Sequence, residues 1–262
     1  MFKPFTERIE LLAAKYPDRI QELESLFEGK VGIYIDYANV IGWQDRLGWR
    51  IDLKRLKQFL NSFDSIIKAR FYYGTLEGDA ESEALLAEAN KYGYEVITKP
   101  VKIMNFPINI ASIPLTSPDI IKQFIRSPLL RKLNIETVEF LNRKLLELNK
   151  QGIMYLEHRK CNFDVEIGSD VIIDAAADEV FTFILWSGDS DFADSLERLL
   201  RAKKKCVIFS TARRVSRELN ELRSKGLLIF DIHKIRNFIC WKKEIDVKLA
   251  PLKSKKDSKS SP

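Results

Sequence analysis

The sequence is poor in the features that build disulfide scaffolds and membrane spans. Its three cysteines, Cys161, Cys206 and Cys240, are odd in number and lack a framework spacing, which argues against a disulfide scaffold. Its longest apolar stretches, such as Val180 to Trp186, are far too short to cross a bilayer. The N-terminus lacks the basic-then-apolar order of a signal peptide. We therefore expect a reduced, cytoplasmic protein without a membrane partner.

Several motifs of common α/β enzymes are also absent. Residues 36–39 read Asp-Tyr-Ala-Asn and contain no glycine-rich turn for a dinucleotide. A haloacid-dehalogenase phosphatase would need a second Asp where Ala38 stands. His158 and Cys161 are spaced like metal ligands, but two residues do not make a zinc site. These observations disfavour dinucleotide binding, that type of phosphatase and a structural zinc.

The positive net charge is concentrated near the C-terminus. Residues 242–262 hold seven Lys against three acids, which accounts for +4 of the total of +6. Such a tail fits a nucleic-acid partner, although basic tails also serve as solubilising ends. We expect residues 237–262 to form a basic, disordered tail.

Apolar runs alternate with helical patterns along most of the chain. Strands are expected at Val31 to Asp36, Ile66 to Tyr73, Tyr94 to Thr98, Val180 to Trp186, Cys206 to Ser210 and Leu227 to Phe230, with helices between them. This alternation predicts an α/β fold in which helices cover both faces of a central parallel sheet, a three-layer α/β/α arrangement.

Two segments depart from the alternation. Residues 1–29 predict two short helices separated at Pro17, which form an N-terminal appendage. Residues from about 100 to 160 contain Pro107, Pro114, Pro118 and Pro128 before a helical pattern at 135–148, and we interpret them as an insertion. The main domain is thus expected to span residues 30–236.

Acidic residues follow the predicted strands. Asp36 ends the first strand, Asp189 and Asp191 follow the strand that ends at Trp186, and Asp164 begins a helix. Sites in open parallel sheets form beyond the carboxyl ends of the strands, so these carboxylates are expected to converge. Converging carboxylates repel each other and need cations. Oxygen ligands without a nearby His or Cys suit Mg²⁺ or Mn²⁺.

Each acid taken alone also has a structural explanation. An Asp after a strand is often only a turn former or a helix cap, and Ser187 or Asp189 could cap the following helix. Asp174, one turn beyond Asp170, is at least as consistent with a solvated surface, and we leave it out of the site. The case for a metal site therefore depends on the whole group.

Three motifs together resemble the NYN domain, a family within the PIN-like nucleases. They are Ile35-Asp36-Tyr37-Ala38-Asn39, the segment Lys160 to Asp170 with its Asp-Val-x-apolar-x-x-Asp pattern, and Ser187-Gly188-Asp189-Ser190-Asp191-Phe192. The resemblance covers roughly Val31 to Phe230, and the insertion at about 100–160 has no family counterpart that we can place.

The resemblance implies a PIN-like fold and a metal-dependent nuclease acting on RNA. It assigns catalysis and metal binding to Asp36, Asp164, Asp189 and Asp191. It makes Asn39 a positioning residue, and Asp170 and Asp194 residues that support the metal ligands. PIN-like domains often pair, so a homodimer is expected by analogy.

Side chains near these motifs suit a single RNA strand. Trp43 and Trp49, in what we interpret as a loop after Asp36, could stack on bases, although buried aromatic residues are the commoner case. Arginines could hold phosphates. The expected substrate-binding residues are Asn39, Trp43, Arg46, Ser187, Arg213 and Arg214.

Two functions remain open from the sequence. The first is a Mg²⁺- or Mn²⁺-dependent ribonuclease that hydrolyses RNA phosphodiester bonds. The second is a catalytically weak RNA-binding or regulatory module on the same fold. The presence of all four acids favours the ribonuclease.

Overall fold

The computed structural model describes residues 1–211 and 214–240, except for the side chains of residues 45–47. Most of the expected tail, from residue 241 onward, lies outside the described residues. The chain divides into two compact units. Unit 1 comprises Met1–Pro100 and the described part of Asn162–Pro262, and unit 2 is Val101–Cys161.

Unit 1 begins with a helical pair and then alternates strands and helices. Its strands are β1 (Val31–Asp36), β2 (Ile66–Tyr72), β3 (Glu95–Ile97), β6 (Thr182–Trp186), β7 (Lys205–Ser210) and β8 (Leu228–Asp231). Its α-helices are α1 (Glu7–Lys15), α2 (Pro17–Leu26), α3 (Tyr37–Leu47), α4 (Leu53–Leu60), α5 (Ala80–Lys91), α8 (Asp164–Ala176), α9 (Ala193–Arg201), α10 (Arg217–Glu221) and α11 (Arg236–Ile239). In the part of the chain that the structure describes, no helix is both long and apolar enough to span a membrane.

The strands of unit 1 form one six-stranded parallel sheet, in the order β3-β2-β1-β6-β7-β8. This confirms the predicted α/β fold with a central parallel sheet between helices. The central strands β1 and β6 are buried along their whole length, as expected of strands covered on both faces. The order of the strands reverses between β1 and β6, and ligands of such sheets bind beyond the strand ends at this reversal.

A large hydrophobic cluster of unit 1 lies against one face of the sheet. Ile33 and Ile35 of β1 point toward it, and α4 contributes the buried Leu56 and Phe59. The N-terminal helices belong to the same core, since Ile9 and Leu23 are fully buried in it. Pro17 occupies the first turn of α2, where its missing N–H leaves no helical hydrogen bond unmade.

Unit 2 contains a two-stranded antiparallel ribbon and a helical part. Its elements are β4 (Lys102–Pro107), α6 (Ser127–Leu130), α7 (Ile135–Lys150) and β5 (Tyr155–Lys160). Strands β4 and β5 pair along their whole length, from Lys102 opposite Lys160 to Pro107 opposite Tyr155. We refer to this pair of strands as the ribbon.

A small core of its own holds unit 2 together. Ile108, Ile110 and Ile120 are buried in it, and leucines of α7 pack against them. The buried amide of Asn149 accepts a hydrogen bond from the backbone N–H of Ile110 and donates to the carbonyl oxygens of Ile108 and Ile153. These bonds satisfy loop backbone groups that would otherwise be buried without partners.

Candidate metal centre

The first acid, Asp36, is delivered by the carboxyl end of β1. It is the last residue of the strand and the N-cap of α3, where its Oδ1 accepts the backbone N–H of Asn39 at 3.4 Å. Its Oδ2 accepts the hydroxyl of Ser187 at 3.3 Å. The side chain is only 7% exposed. This burial, together with the nearby charges of Asp164 and Asp189, raises the pKa of Asp36 to about 6.

The second and third acids follow the neighbouring strand β6. The backbone N–H of Asp189 donates to the hydroxyl of the buried Ser187, at 3.3 Å. Asp189 then caps a short 3₁₀ turn, Ser190–Phe192, by accepting the N–H of Asp191 at 3.3 Å. Phe192 is 1% exposed and anchors the turn in the protein interior. Capping therefore explains Asp189 in part, but it gives no role to the exposed carboxylate of Asp191.

A close backbone approach explains Gly188. A Cβ atom at this position would lie 1.7 Å from the carbonyl oxygen of Arg214, a distance that no real side chain tolerates. The N–H of Ser216 donates to the carbonyl oxygen of Gly188 at 3.0 Å. The loop that carries the two acids is thus held by the segment that follows β7.

The fourth acid, Asp164, is the first residue of α8. It is half-buried, and its Oδ2 accepts the side-chain amide of Asn162 at 2.5 Å. Burial raises the pKa of the Asp164 carboxyl, and the charges of Asp189 and Asp191 raise it further. The carboxylate therefore lies in an environment that disfavours its charge when no cation is present.

Three of the four acids converge closely enough to share one ion. Asp164, Asp189 and Asp191 can each offer a carboxylate oxygen such that these oxygens all lie within 4.8 Å of one another. Asp36 is not part of this trio, but Ser187 links it to the Asp189 loop. A set of carboxylate oxygens without sulfur or imidazole fits a hard divalent cation such as Mg²⁺ or Mn²⁺.

The next acid of α8, Asp170, faces the sheet and not the trio. Its Oδ2 accepts the hydroxyl of Tyr72 at 2.6 Å and lies 3.5 Å from the guanidinium of Arg70. Both partners belong to β2. Asp170 therefore connects the helix that begins with Asp164 to the sheet.

Asp174 is buried, which corrects our interpretation of it as solvated surface. The side chain is 4% exposed and accepts hydrogen bonds from Tyr34, Lys68 and Arg70 at 2.5, 2.9 and 3.0 Å. Because side chains of a strand alternate between its faces, Lys68 and Arg70 point to the same side of β2 as Tyr72. Lys68 and Arg70, two charged residues at alternate positions of β2, were the sequence signal for the buried group of hydrogen bonds around Asp174.

The structure does not bring Asp194 to the acidic group. Its side chain is 78% exposed and forms an ion pair with Arg198, one turn further along α9, at 3.0 Å. This is an ordinary pair on a helix surface. We therefore assign Asp194 no role in supporting the metal ligands.

Trp43 is a core residue, so the expectation that it stacks on RNA bases is not supported by its position. The residues after Asp36 form the helix α3 and not a loop, and Trp43 on this helix is 4% exposed. Trp49 and Tyr37 are likewise buried, at 1% and 5%. None of these three rings is exposed enough to stack on a base.

The other expected substrate contacts have different surroundings. Asn39 is half-buried in the first turn of α3, and Arg214 is half-buried next to the Gly188 turn. Ser187 is fully buried, so it orients Asp36 and does not touch substrate. The side chain of Arg46 and the whole of Arg213 lie outside the described residues.

A cavity of about 680 Å³ lies between α3, α4 and α5. Its lining includes Tyr37, Gln44 and Tyr73, but it includes none of the four acids. The acidic group therefore lies at the edge of the sheet outside this cavity, with Asp191 exposed to solvent.

The comparison with protein families agrees with two of the three motifs. Residues 127–227 match the family model described as NYN domain. The matched stretch contains Asp164, Asp189 and Asp191, whereas Asp36 lies before it. It begins inside the segment that we interpret as an insertion and includes residues 127–160 of it.

No curated protein matches the chain. Among solved structures, a protein of unknown function from Vibrio parahaemolyticus RIMD 2210633 aligns with a TM-score of 0.48 and 19% sequence identity, over 80% of this chain and 96% of that chain. The family match over residues 127–227 thus confirms the resemblance to the NYN domain that the second and third motifs indicate.

Proposed function

We propose that this protein is a metal-dependent ribonuclease, in which Asp36, Asp164, Asp189 and Asp191 form the catalytic centre. The observation that carries the proposal is the convergence of three carboxylates within 4.8 Å, at the reversal point of the sheet and beside the buried Asp36. The family match supports it, because NYN domains are nuclease-like.

The three converging carboxylates would hold Mg²⁺ or Mn²⁺, with Asp36 as the fourth acid. When bound, such a cation supplies Lewis-acid stabilisation of the phosphoryl oxygens and lowers the pKa of water. The pKa of Asp36, raised to about 6, leaves this carboxyl ionised at neutral pH even before a cation binds. Ser187 and the backbone of Asn39 fix its two oxygens in place.

The chain's other residues would position the substrate. The half-buried Asn39 and Arg214 border the acids and are our proposed contacts to RNA among the described residues. Arg46 and Arg213 remain proposals of the same kind, while Trp43 and Ser187 are buried and are withdrawn as direct contacts. Asp170 and Asp174 hold α8, and with it Asp164, against the sheet.

The test is cleavage of labelled single-stranded RNA and DNA by wild type and by Asp36→Asn/Asp189→Asn, in Mg²⁺, in Mn²⁺ and in EDTA. We expect RNA cleavage that requires the metal and falls to background in the double variant. Asp194→Asn is the matched control, because it removes the same charge from an exposed helix position that forms an ion pair with Arg198. Retained RNA binding without cleavage under any metal would instead make the protein a non-catalytic RNA-binding module.

A further inference from the structure

The charge of the chain is divided between its two units. Unit 2 holds six Lys and four Arg against one Asp and four Glu, a net charge of +5. Residues 242–262 carry +4, so residues 1–100 and 162–241 together carry −3 of the total of +6. The part of the chain that contains the acidic centre is therefore net negative. A polyanionic substrate would be attracted by unit 2 and repelled by the rest of the described chain.

The ribbon of unit 2 concentrates unpaired positive charge. Lys102 and Lys160 are direct partners in the antiparallel register, and both are exposed. Like charges opposite each other in a strand pair destabilise it. No ion pair between residues that the structure describes engages either lysine. A bound anion would remove this repulsion.

The same ribbon exposes aromatic and apolar surface. Every residue of β5 is exposed, including His158. Because side chains alternate between the two faces of a strand, His158 lies on the same face of the ribbon as Lys102 and Lys160. Phe106 of β4 shares this face, and its ring centroid lies 5.9 Å from that of His158. Positive charge beside aromatic rings on one face is the surface chemistry on which a single nucleic-acid strand binds, since phosphates pair with lysines and bases stack on aromatic faces.

We propose that the ribbon of unit 2 binds a single RNA strand, with Lys102 and Lys160 contacting phosphates and His158 stacking on a base. The identity of this ligand rests on the proposed ribonuclease function, and the site itself rests on the charge and exposure of the ribbon. The small core behind the ribbon, with its buried asparagine hydrogen bonds, gives the two strands a scaffold that an isolated pair would lack.

The experiment measures the affinity of the full chain for a fluorescent single-stranded RNA in EDTA, where no cleavage occurs, over a series of salt concentrations. The variants are Lys102→Gln/Lys160→Gln and, separately, His158→Ala. The matched control is Lys15→Gln/Lys91→Gln, which removes two exposed charges from unit 1. Thermal unfolding of each variant establishes that it is folded.

We expect the double lysine variant to bind at least about tenfold more weakly, with the slope of log K against log salt smaller by about 1.4, because each phosphate contact to a single strand contributes about 0.7. His158→Ala should weaken binding by about fivefold or more without changing that slope. The control should stay within about twofold of wild type.

Three outcomes would overturn the proposal. One is unchanged affinity in the ribbon variants. Another is an equal loss in the ribbon and control variants, which would indicate attraction by overall charge alone. The third is a ribbon variant that changes the sedimentation of the protein but not its affinity for RNA, which would make the ribbon a contact between copies of the chain. Binding is measured in EDTA and does not depend on cleavage. If the nuclease proposal failed, cleavage would be absent in the separate assay, and the affinity of the ribbon variants for RNA could still be interpreted.

Discussion

Replacing Asp36 by Asn should stabilise the protein when no metal is present. The carboxyl is 7% exposed, and burial together with Asp164 and Asp189 raises its pKa from 3.8 to about 6. A difference of roughly 2 pKa units corresponds to about 3 kcal/mol. The pKa of Asp36 is higher in the folded protein than in the unfolded chain. The contribution of this carboxyl to folding stability is therefore fully present below pH 3.8 and is lost as the pH rises through about 6. A neutral amide avoids that loss.

The substitution should preserve the local hydrogen bonds. The amide oxygen of Asn can accept the backbone N–H of Asn39, and Asn is among the favoured N-cap residues. Its NH₂ group can donate to the hydroxyl of Ser187. We therefore expect Asp36→Asn to exceed wild type by up to about 3 kcal/mol at pH 8 in EDTA, and to equal it near pH 4.

The assay is urea unfolding at pH 4, 6 and 8 in EDTA, with Asp194→Asn as the control that should change stability by less than about 0.5 kcal/mol. Adding Mn²⁺ should then stabilise wild type with the logarithm of the ion concentration, and Asp189→Asn, which lacks one carboxylate of the trio, much less. An Asp36→Asn variant that is less stable than wild type at pH 8 in EDTA would refute the argument, because the buried charge would then not be the destabilising element that its surroundings imply.

Two further substitutions test the framework around the acids. Gly188→Ala should abolish cleavage and lower the free energy of unfolding by about 1–3 kcal/mol, because its Cβ would lie 1.7 Å from the carbonyl oxygen of Arg214. Gly42→Ala, whose Cβ would meet no atom within 4 Å, should be neutral or stabilising in the same urea titration. Asp174→Ala should cost about 3–5 kcal/mol, because Lys68 loses a buried counter-charge, and a loss below about 1 kcal/mol in urea unfolding would contradict that account.

The alternation of elements was predictable because the central strands are covered on both faces. In the sequence, strands β1 and β6 are nearly continuous apolar runs. In the structure every residue of both strands is buried, which is the reason for that pattern. The helix α3 was missed because it starts on the residue after β1 with no intervening loop, so that Asp36 ends one element and caps the next. Reading those residues as a loop led directly to the wrong expectation for Trp43.

The contacts of the acids depend on the order of the strands, which alternation alone does not determine. Placing Asp36 beside the Asp189 loop requires β1 to pair with β6 and not only with β2. The burial of Asp174 depends on which face of β2 meets α8, a tertiary choice that its spacing from Asp170 does not reveal. The ribbon escaped prediction because Pro107 and the intervening prolines mask its two short strands.

The register of the ribbon has a consequence for how this protein can change over evolution. Because Lys102 lies opposite Lys160, the chain enters and leaves unit 2 at adjacent points. Segments whose ends lie close together can be lengthened, shortened or exchanged with little effect on the fold that carries them. The residues between β4 and β5 are therefore free to diversify while the sheet and its acids stay constant, and under the proposed function the choice of RNA would evolve separately from the chemistry of cleavage.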